Sequence, residues 1–183
     1  DKVKAIKIDG VEPTAANIKD GSYQISRPFL IATGSTPSQA AQDFIAYILS
    51  ESGQQVVEKA GYIQVVDEPE TFESSMAQGK IVIAGSSSVS PVMEKLIEGY
   101  KTVNPNAQIE LQTSDSTTGI QFVMDGTADI GMASRELKDS EQSLNAAAIA
   151  LDGIAVIVNR NNTVEDMTRE EVKDIFTGVR DVW

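Results

Sequence analysis

The chain is 183 residues long with a net charge of −12, and its 41% hydrophobic and 23% charged content suit a soluble globular protein with room for one substantial core. It contains neither Cys nor His, which excludes Ser-His-Asp hydrolysis, cysteine nucleophiles, dithiol redox work and the usual zinc sites; carboxylate sites for hard cations are the metal option left. The acidic balance argues against nucleic acid as a partner, because phosphate-backbone affinity needs clustered Lys and Arg, and the apolar runs are too short to span a bilayer. No signal peptide is visible, since Asp1 opens on a strand-like pattern; the chain either stays in the cytoplasm or its export signal is not part of this sequence.

In chain order, residues 3–9 read as a strand with both faces partly covered, Val3 and Ala5 pointing one way and Ile6 and Ile8 the other. Thr14 caps a short helix through Ile18, and a turn follows at residues 20–22. Residues 23–33 form a longer strand whose Arg27-Pro28 interruption predicts an edge or a crossover. A helix over 37–50 carries the stripe Phe44, Ile45, Ile48 and Leu49; Gly53 ends it, and 54–60 make a second short helix stopped by Gly61. A brief strand at 62–66 leads into residues 67–79, which are polar, acidic and aperiodic and read as a linker.

The order then becomes regular. Strands are expected at 81–84, 108–112, 128–133 and 147–158, the last bending at Asp152-Gly153. Helices are expected at 90–103, with Val92, Leu96, Ile97 and Tyr100 on one face, at 119–124, and from the Thr168 cap through Phe176 to Gly178, with a short helix or turn at 139–145. Strands alternating with helices at this spacing imply parallel βαβ units. The expected fold is α/β, a single three-layer lobe with a mostly parallel sheet and helices on both faces, flavodoxin-like or doubly wound.

The most telling stretch is residues 80–91, Lys-Ile-Val-Ile-Ala-Gly-Ser-Ser-Ser-Val-Ser-Pro, a strand that feeds a helix through glycine and hydroxyls. The first backbone N–H groups of a helix have no intrahelical partner and lie at the positive end of its dipole, so such a junction seats anions. Two further hydroxyl-rich loops follow strands, at 113–119 and at Ala133-Ser134-Arg135. Ser and Thr ahead of a helix are ordinary caps, and Arg135 alone reads as a salt-bridged surface side chain. Three such loops at the C-terminal ends of parallel strands converge on one rim, which suits a small oxyanion held and released. Catalysis is not indicated: no base such as His is present, and Asp115 is the lone carboxylate at a strand end, short of the cluster that phosphoryl transfer needs.

These residues also carry a resemblance. Residues 81–183 are similar to the N-terminal portion of the phosphate-binding proteins of ABC uptake systems, receptors of the type II periplasmic binding protein class. The phrases that carry it are Ala84-Gly-Ser-Ser-Ser-Val-Ser-Pro91, Thr118-Gly-Ile-Gln-Phe-Val-Met-Asp-Gly-Thr-Ala-Asp-Ile-Gly-Met-Ala-Ser-Arg-Glu-Leu137, Ile149-Ala-Leu-Asp-Gly-Ile-Ala-Val-Ile-Val158 and the helix at 167–178. Residues 3–66 resemble the family's C-terminal portion, through Val11-Glu-Pro-Thr14, Ser26-Arg-Pro-Phe29 and Ser52-Gly-Gln-Gln-Val-Val-Glu-Lys-Ala-Gly-Tyr-Ile63.

The resemblance implies a circularly permuted chain, with 67–79 joining the family's old termini, in which residues 1–183 form one lobe and most of a second lobe is absent. It implies a phosphate half-site of Ser87, Ser88, Ser116, Thr117 and Ser134, with no metal, no cofactor and no enzymatic activity. Inorganic phosphate, bound weakly or not at all, is the implied ligand. An ABC permease is the implied docking partner, outside the cytoplasm, and the exposed lobe interface implies a homodimer. A different reading of the reversed order is an engineered scaffold with no ligand of its own.

Overall fold

A computed structural model describes residues 2–181; Asp1, Val182 and Trp183, the last two at the end of the family-like stretch, lie outside the described residues. Residues 1–183, expected as one lobe, divide into two compact units: Asp1–Ser26 with Asp152–Trp183, and Arg27–Leu151.

In the first unit the strand expected over 3–9 is broken. β1 (Val3–Ala5) pairs antiparallel with β8 (Ile157–Asn159), and β2 (Lys7–Ile8) pairs parallel with β9 (Asp166–Met167). The split lets Ile6 and Ile8 both bury, alongside Ile18, Tyr23, Val156, Val158 and Met167. The Tyr23 hydroxyl donates to the Ile154 carbonyl at 2.8 Å. α1 (Ala15–Lys19) starts at Thr14, whose hydroxyl accepts from the Asn17 N–H. α6 (Arg169–Phe176) starts at Thr168 with Glu171 completing a capping box, and Gly178 closes it at φ +74°.

The second unit is built on a five-stranded sheet in the order β5-β4-β6-β3-β7, from β3 (Ser26–Thr33), β4 (Lys80–Ser86), β5 (Gln108–Ser114), β6 (Ile130–Ala133) and β7 (Asn145–Gly153). β4 runs parallel to both β5 and β6, while β3 is antiparallel to β6, so the sheet is mixed and mostly parallel. β3 is an interior strand, not the edge that Pro28 suggested. The proline precedes the Leu30–Ala32 stretch that pairs with β6, so its missing N–H costs that ladder nothing.

Alternation along the strands feeds two layers of helix. Ile81 and Ile83 of β4, Phe29 and Ile31 of β3, and Ile130 and Met132 of β6 pack with α2 (Gln39–Leu49), α3 (Glu51–Lys59) and α4 (Ser90–Val103) through Phe44, Ile48, Val57, Val92 and Leu96. Their neighbours Leu30, Ala32, Val82, Ala84 and Ala133 face Ile120 and Val123 of α5 (Ser116–Met124). Gly53 lies inside α3; Ser50 makes the break, ending α2 and capping α3 by accepting from the Gly53 N–H. A Cβ on Gly53 would collide with the carbonyls of Tyr47 and Ile48, so the glycine serves the tight corner.

The strand expected at 62–66 reduces to a single bridge, Ile63 with Leu151. Buried Gln54 replaces the missing pairing: its amide donates to the Ile48 and Ile149 carbonyls and accepts from the Val65 N–H. Residues 67–79 have no regular structure but are fastened down. Phe72 packs edge-on to Tyr47 at 5.3 Å, Ser74 and Ser75 donate to Asp43, and Asn104 donates to the Ala77 carbonyl.

Candidate functional site

The parallel run of β5, β4 and β6 brings their C-terminal ends to one rim of the second unit. Two glycines let α5 close on that rim. Gly85 sits at φ +138° with the Met132 backbone where a side chain would go, and a Cβ on Gly119 would overlap the backbone of Ala84 and Gly85. The close approach sets the first turn of α5 beside the end of β4.

A cluster of three hydroxyls results. Ser86 Oγ donates to Ser134 Oγ at 3.1 Å, Ser116 Oγ accepts from the Ser134 N–H at 3.1 Å, and the Ser116 and Ser134 oxygens lie 3.5 Å apart. Ser86 is buried, whereas Ser116 and Ser134 are half-buried and reach the surface. Each hydroxyl has one hydrogen to give, and three hydroxyls joined by two contacts leave one O–H over.

Of the residues expected from the sequence, Ser116 and Ser134 meet. Thr117 is exposed and receives hydrogen bonds from Arg135 Nη2 at 3.2 Å and Lys138 Nζ at 3.5 Å. Ser87 is exposed and Ser88 half-buried in the turn before α4, and the Ser87 N–H is spent on the Ser114 carbonyl. Ser86 was passed over although it stands in the same loop. Strand parity points to it: Ala84 faces α5, so Ser86, two residues on, faces the start of the same helix.

The two helix N-termini at this rim differ. Helix α5 begins at Ser116, three residues earlier than expected, because Asp115 is its cap. That carboxylate accepts from the Thr117 and Thr118 N–H groups and the Thr118 hydroxyl, and those bonds hold its pKa below the usual carboxylate range. Helix α4 begins at Ser90 and has Val89 at its cap position, where no side chain can cap it, while Ser90 Oγ turns back to the Ser86 carbonyl and to Thr113. The Arg135 guanidinium grips Glu141 through two bonds of 2.8 and 2.9 Å. Buried Glu141 also accepts from the Lys138 N–H, and the Arg135 bonds bring its pKa down to about 2.

The chain is similar to known proteins along most of its length. A model of the PBP superfamily domain matches residues 70–183. "Phosphate-binding protein PstS 2" of Streptococcus agalactiae is 54% identical over 184 residues, a match that covers 99% of this chain and 62% of that protein. The solved phosphate-binding protein of a phosphate ABC transporter from Streptococcus pneumoniae TIGR4 superposes with a TM-score of 0.92 at 45% identity, covering 96% of this chain and 69% of that one. "Phosphate-binding protein PstS" of Staphylococcus saprophyticus is 31% identical over 120 residues, 61% of this chain and 38% of that protein. This chain therefore spans 62% of the length of the S. agalactiae relative. The engineered origin considered from the segment order is not supported, because the S. agalactiae protein aligns with nearly the whole chain in one run. With the family profile on more than half of its residues, this chain belongs to the PBP superfamily.

Proposed function

We propose that the second unit holds inorganic phosphate at the Ser86–Ser134–Ser116 rim, as one side of a receptor site serving an ABC phosphate transporter. The observation that supports this most is the half-exposed hydroxyl cluster with a spare O–H, beside a helix N-terminus that no side chain caps. Ser87, Ser88 and Thr117, expected from the sequence, are further hydroxyl donors in this proposal, although they do not contact the cluster. The similarity to proteins named for phosphate binding supplies the ligand. By the same similarity the protein works outside the cytoplasm and delivers its anion to a permease.

The reversed segment order is part of this reading only as drawn from the phrases at residues 3–66 and 81–183 that resemble the family's two portions. Donors from one side only hold an anion loosely, since closure by a second surface is what dries the site and strengthens each hydrogen bond. Calorimetric titration of phosphate should give a Kd near about 1 mM, or about −4 kcal/mol. Ser134→Ala should abolish the heat. Micromolar affinity would sink the one-sided site, and an unchanged Ser134→Ala would sink its location. Elution of the chain as a monomer on size exclusion would remove the homodimer.

A further inference from the structure

The five-stranded sheet has one edge that the chain itself covers only in part. We propose that the outer edge of β7, at residues 145–148, takes an extended peptide as a further strand, one with bulky aliphatic residues in succession and lysines at its ends. The edge shares no residue with the Ser86–Ser134–Ser116 rim, so this inference stands apart from the phosphate reading.

β7 ends the sheet order, with β3 on its inner side. On its outer side Ile63 pairs antiparallel with Leu151, each N–H donating to the other's carbonyl at 3.0 and 2.9 Å. A strand turns the backbone groups of alternate residues to the same side, so Ile149, Ala147 and Asn145 address that edge too. The Ile149 carbonyl fixes this phase by accepting from the Gln54 amide at 3.2 Å. Gln54 also accepts from the Val65 N–H, and so stands between β7 and the segment that follows Ile63. The pairing that Ile63 begins stops there. Among the described residues, no other segment pairs with β7 at Ala147 and Asn145.

The stretch is flanked by a hollow on each face. On the α2 face one of about 360 Å³ opens between Ile31, Pro37, Ile45, Ala46 and Ala147. On the opposite face one of about 520 Å³ opens between Leu30, Leu137, Leu144, Ala148 and Leu151. β7 puts only methyl groups here, since Ala146, Ala147 and Ala148 follow one another. A strand laid along the edge sends successive side chains to alternate faces, so each hollow receives every second residue. Aliphatic side chains buried there add an apolar gain to the backbone pairing. A second copy fits poorly: antiparallel pairing would set the alanine run against itself and leave both hollows empty. Glu136 stands on the wall of the larger hollow, and the net charge of −12 favours basic peptide ends.

The probe is a synthetic hexapeptide, acetylated and amidated, with valine and leucine alternating at its central positions and lysine at each end. Titrated into the isotope-labelled chain, it should bind with a Kd of about 0.1–1 mM and shift amides at residues 31–33, 42–46 and 144–149. The Ala147 amide should exchange with solvent at least about fivefold more slowly in the complex. Ala147→Pro removes the outward N–H, a change that an edge strand tolerates, and should weaken binding at least about tenfold with the melting transition retained. Where that variant does not fold, the peptide N-methylated at the residues that would donate to β7 carries the measurement. It keeps the side chains, and should bind at least about tenfold more weakly than the parent peptide. Equal affinity of the N-methylated peptide, shifts centred away from β7, or no binding up to about 5 mM peptide would overturn the proposal. Slowed exchange at Ala147 that grows with protein concentration in the absence of peptide would also overturn it, because the occupant would then be a second copy.

Discussion

The second unit contains two polar clusters that differ in one respect, saturation. Around Asp43, on the flank of α2, every group is matched: the carboxylate accepts from the Tyr100 hydroxyl at 2.6 Å, the Ser74 hydroxyl at 2.8 Å and the Ser75 N–H at 2.8 Å. Asn104 closes the ring by donating to Tyr100 and to the Ala77 carbonyl. Burial, with the Asp43 hydrogen bond, pushes the Tyr100 hydroxyl up to about 12. Burial also works to raise the Asp43 pKa, but the bonds from Tyr100, Ser75 and Ser74 outweigh it and leave that pKa lowered. Around Ser134 the hydroxyls are neutral, two of the three are half-exposed, and one hydrogen is left to give. A saturated network has nothing left for a ligand and serves the fold; an unsaturated one at a strand-end rim is where a ligand fits.

The comparison can be broken from either side. Gly119→Ala should cost most, about 3 kcal/mol or more in chemical denaturation, because the new Cβ would press on the backbone of Ala84 and Gly85 and lift α5 from β4. The phosphate response should vanish with it, since Ser116 would leave Ser134. Asp43→Ala should cost about 2–3 kcal/mol, by stranding the Tyr100 hydroxyl and the Ser75 N–H and loosening residues 67–79. Proteolysis within that segment should speed up, while phosphate binding stays unchanged. Equal loss of binding in this variant would erase the distinction between the two clusters.

The pH dependence is a smaller effect. The Glu141 pKa, 4.5 in the unfolded chain, falls to about 2 in the fold, so its contribution is complete above pH 4.5 and is lost as pH drops toward 2. That loss amounts to about 2 kcal/mol after allowance for the partial exposure of Arg135. Denaturation midpoints across this range should show a step that Glu141→Gln removes. Ser86→Ala should be the mildest for stability, under about 1 kcal/mol, yet it should weaken phosphate binding several-fold. A large stability loss with unaltered binding would put Ser86 with the structural cluster.

Much of the fold was legible in the sequence because its signals are local. The helix at 90–103 appears within the expected bounds, and the Thr14 and Thr168 caps work as their spacing predicts. The rim was legible through three hydroxyl loops, since parallel strands must send their C-terminal ends to the same side. What was not legible depends on pairing and three-dimensional approach. The interior place of β3 follows from partners distant in sequence, Leu30 with Ala133 and Ala32 with Gly131, which a local proline cannot reveal. The fastening of residues 67–79 rests on Asp43 and Asn104, distant in sequence and buried by packing alone. Asp115 read as a lone carboxylate when it is a helix cap, because helix periodicity over 119–124 starts a turn later than the hydrogen bonds do.

The central claim is that phosphate sits on the Ser86–Ser134–Ser116 rim, and mapping its binding residue by residue tests that most directly. In a titration of the isotope-labelled chain with inorganic phosphate, followed by backbone amide shifts, the account predicts saturable changes at residues 86–90, 116–118 and 134–135, with little movement around Asp43. Shifts centred elsewhere, or none at these residues up to tens of millimolar phosphate, would contradict it.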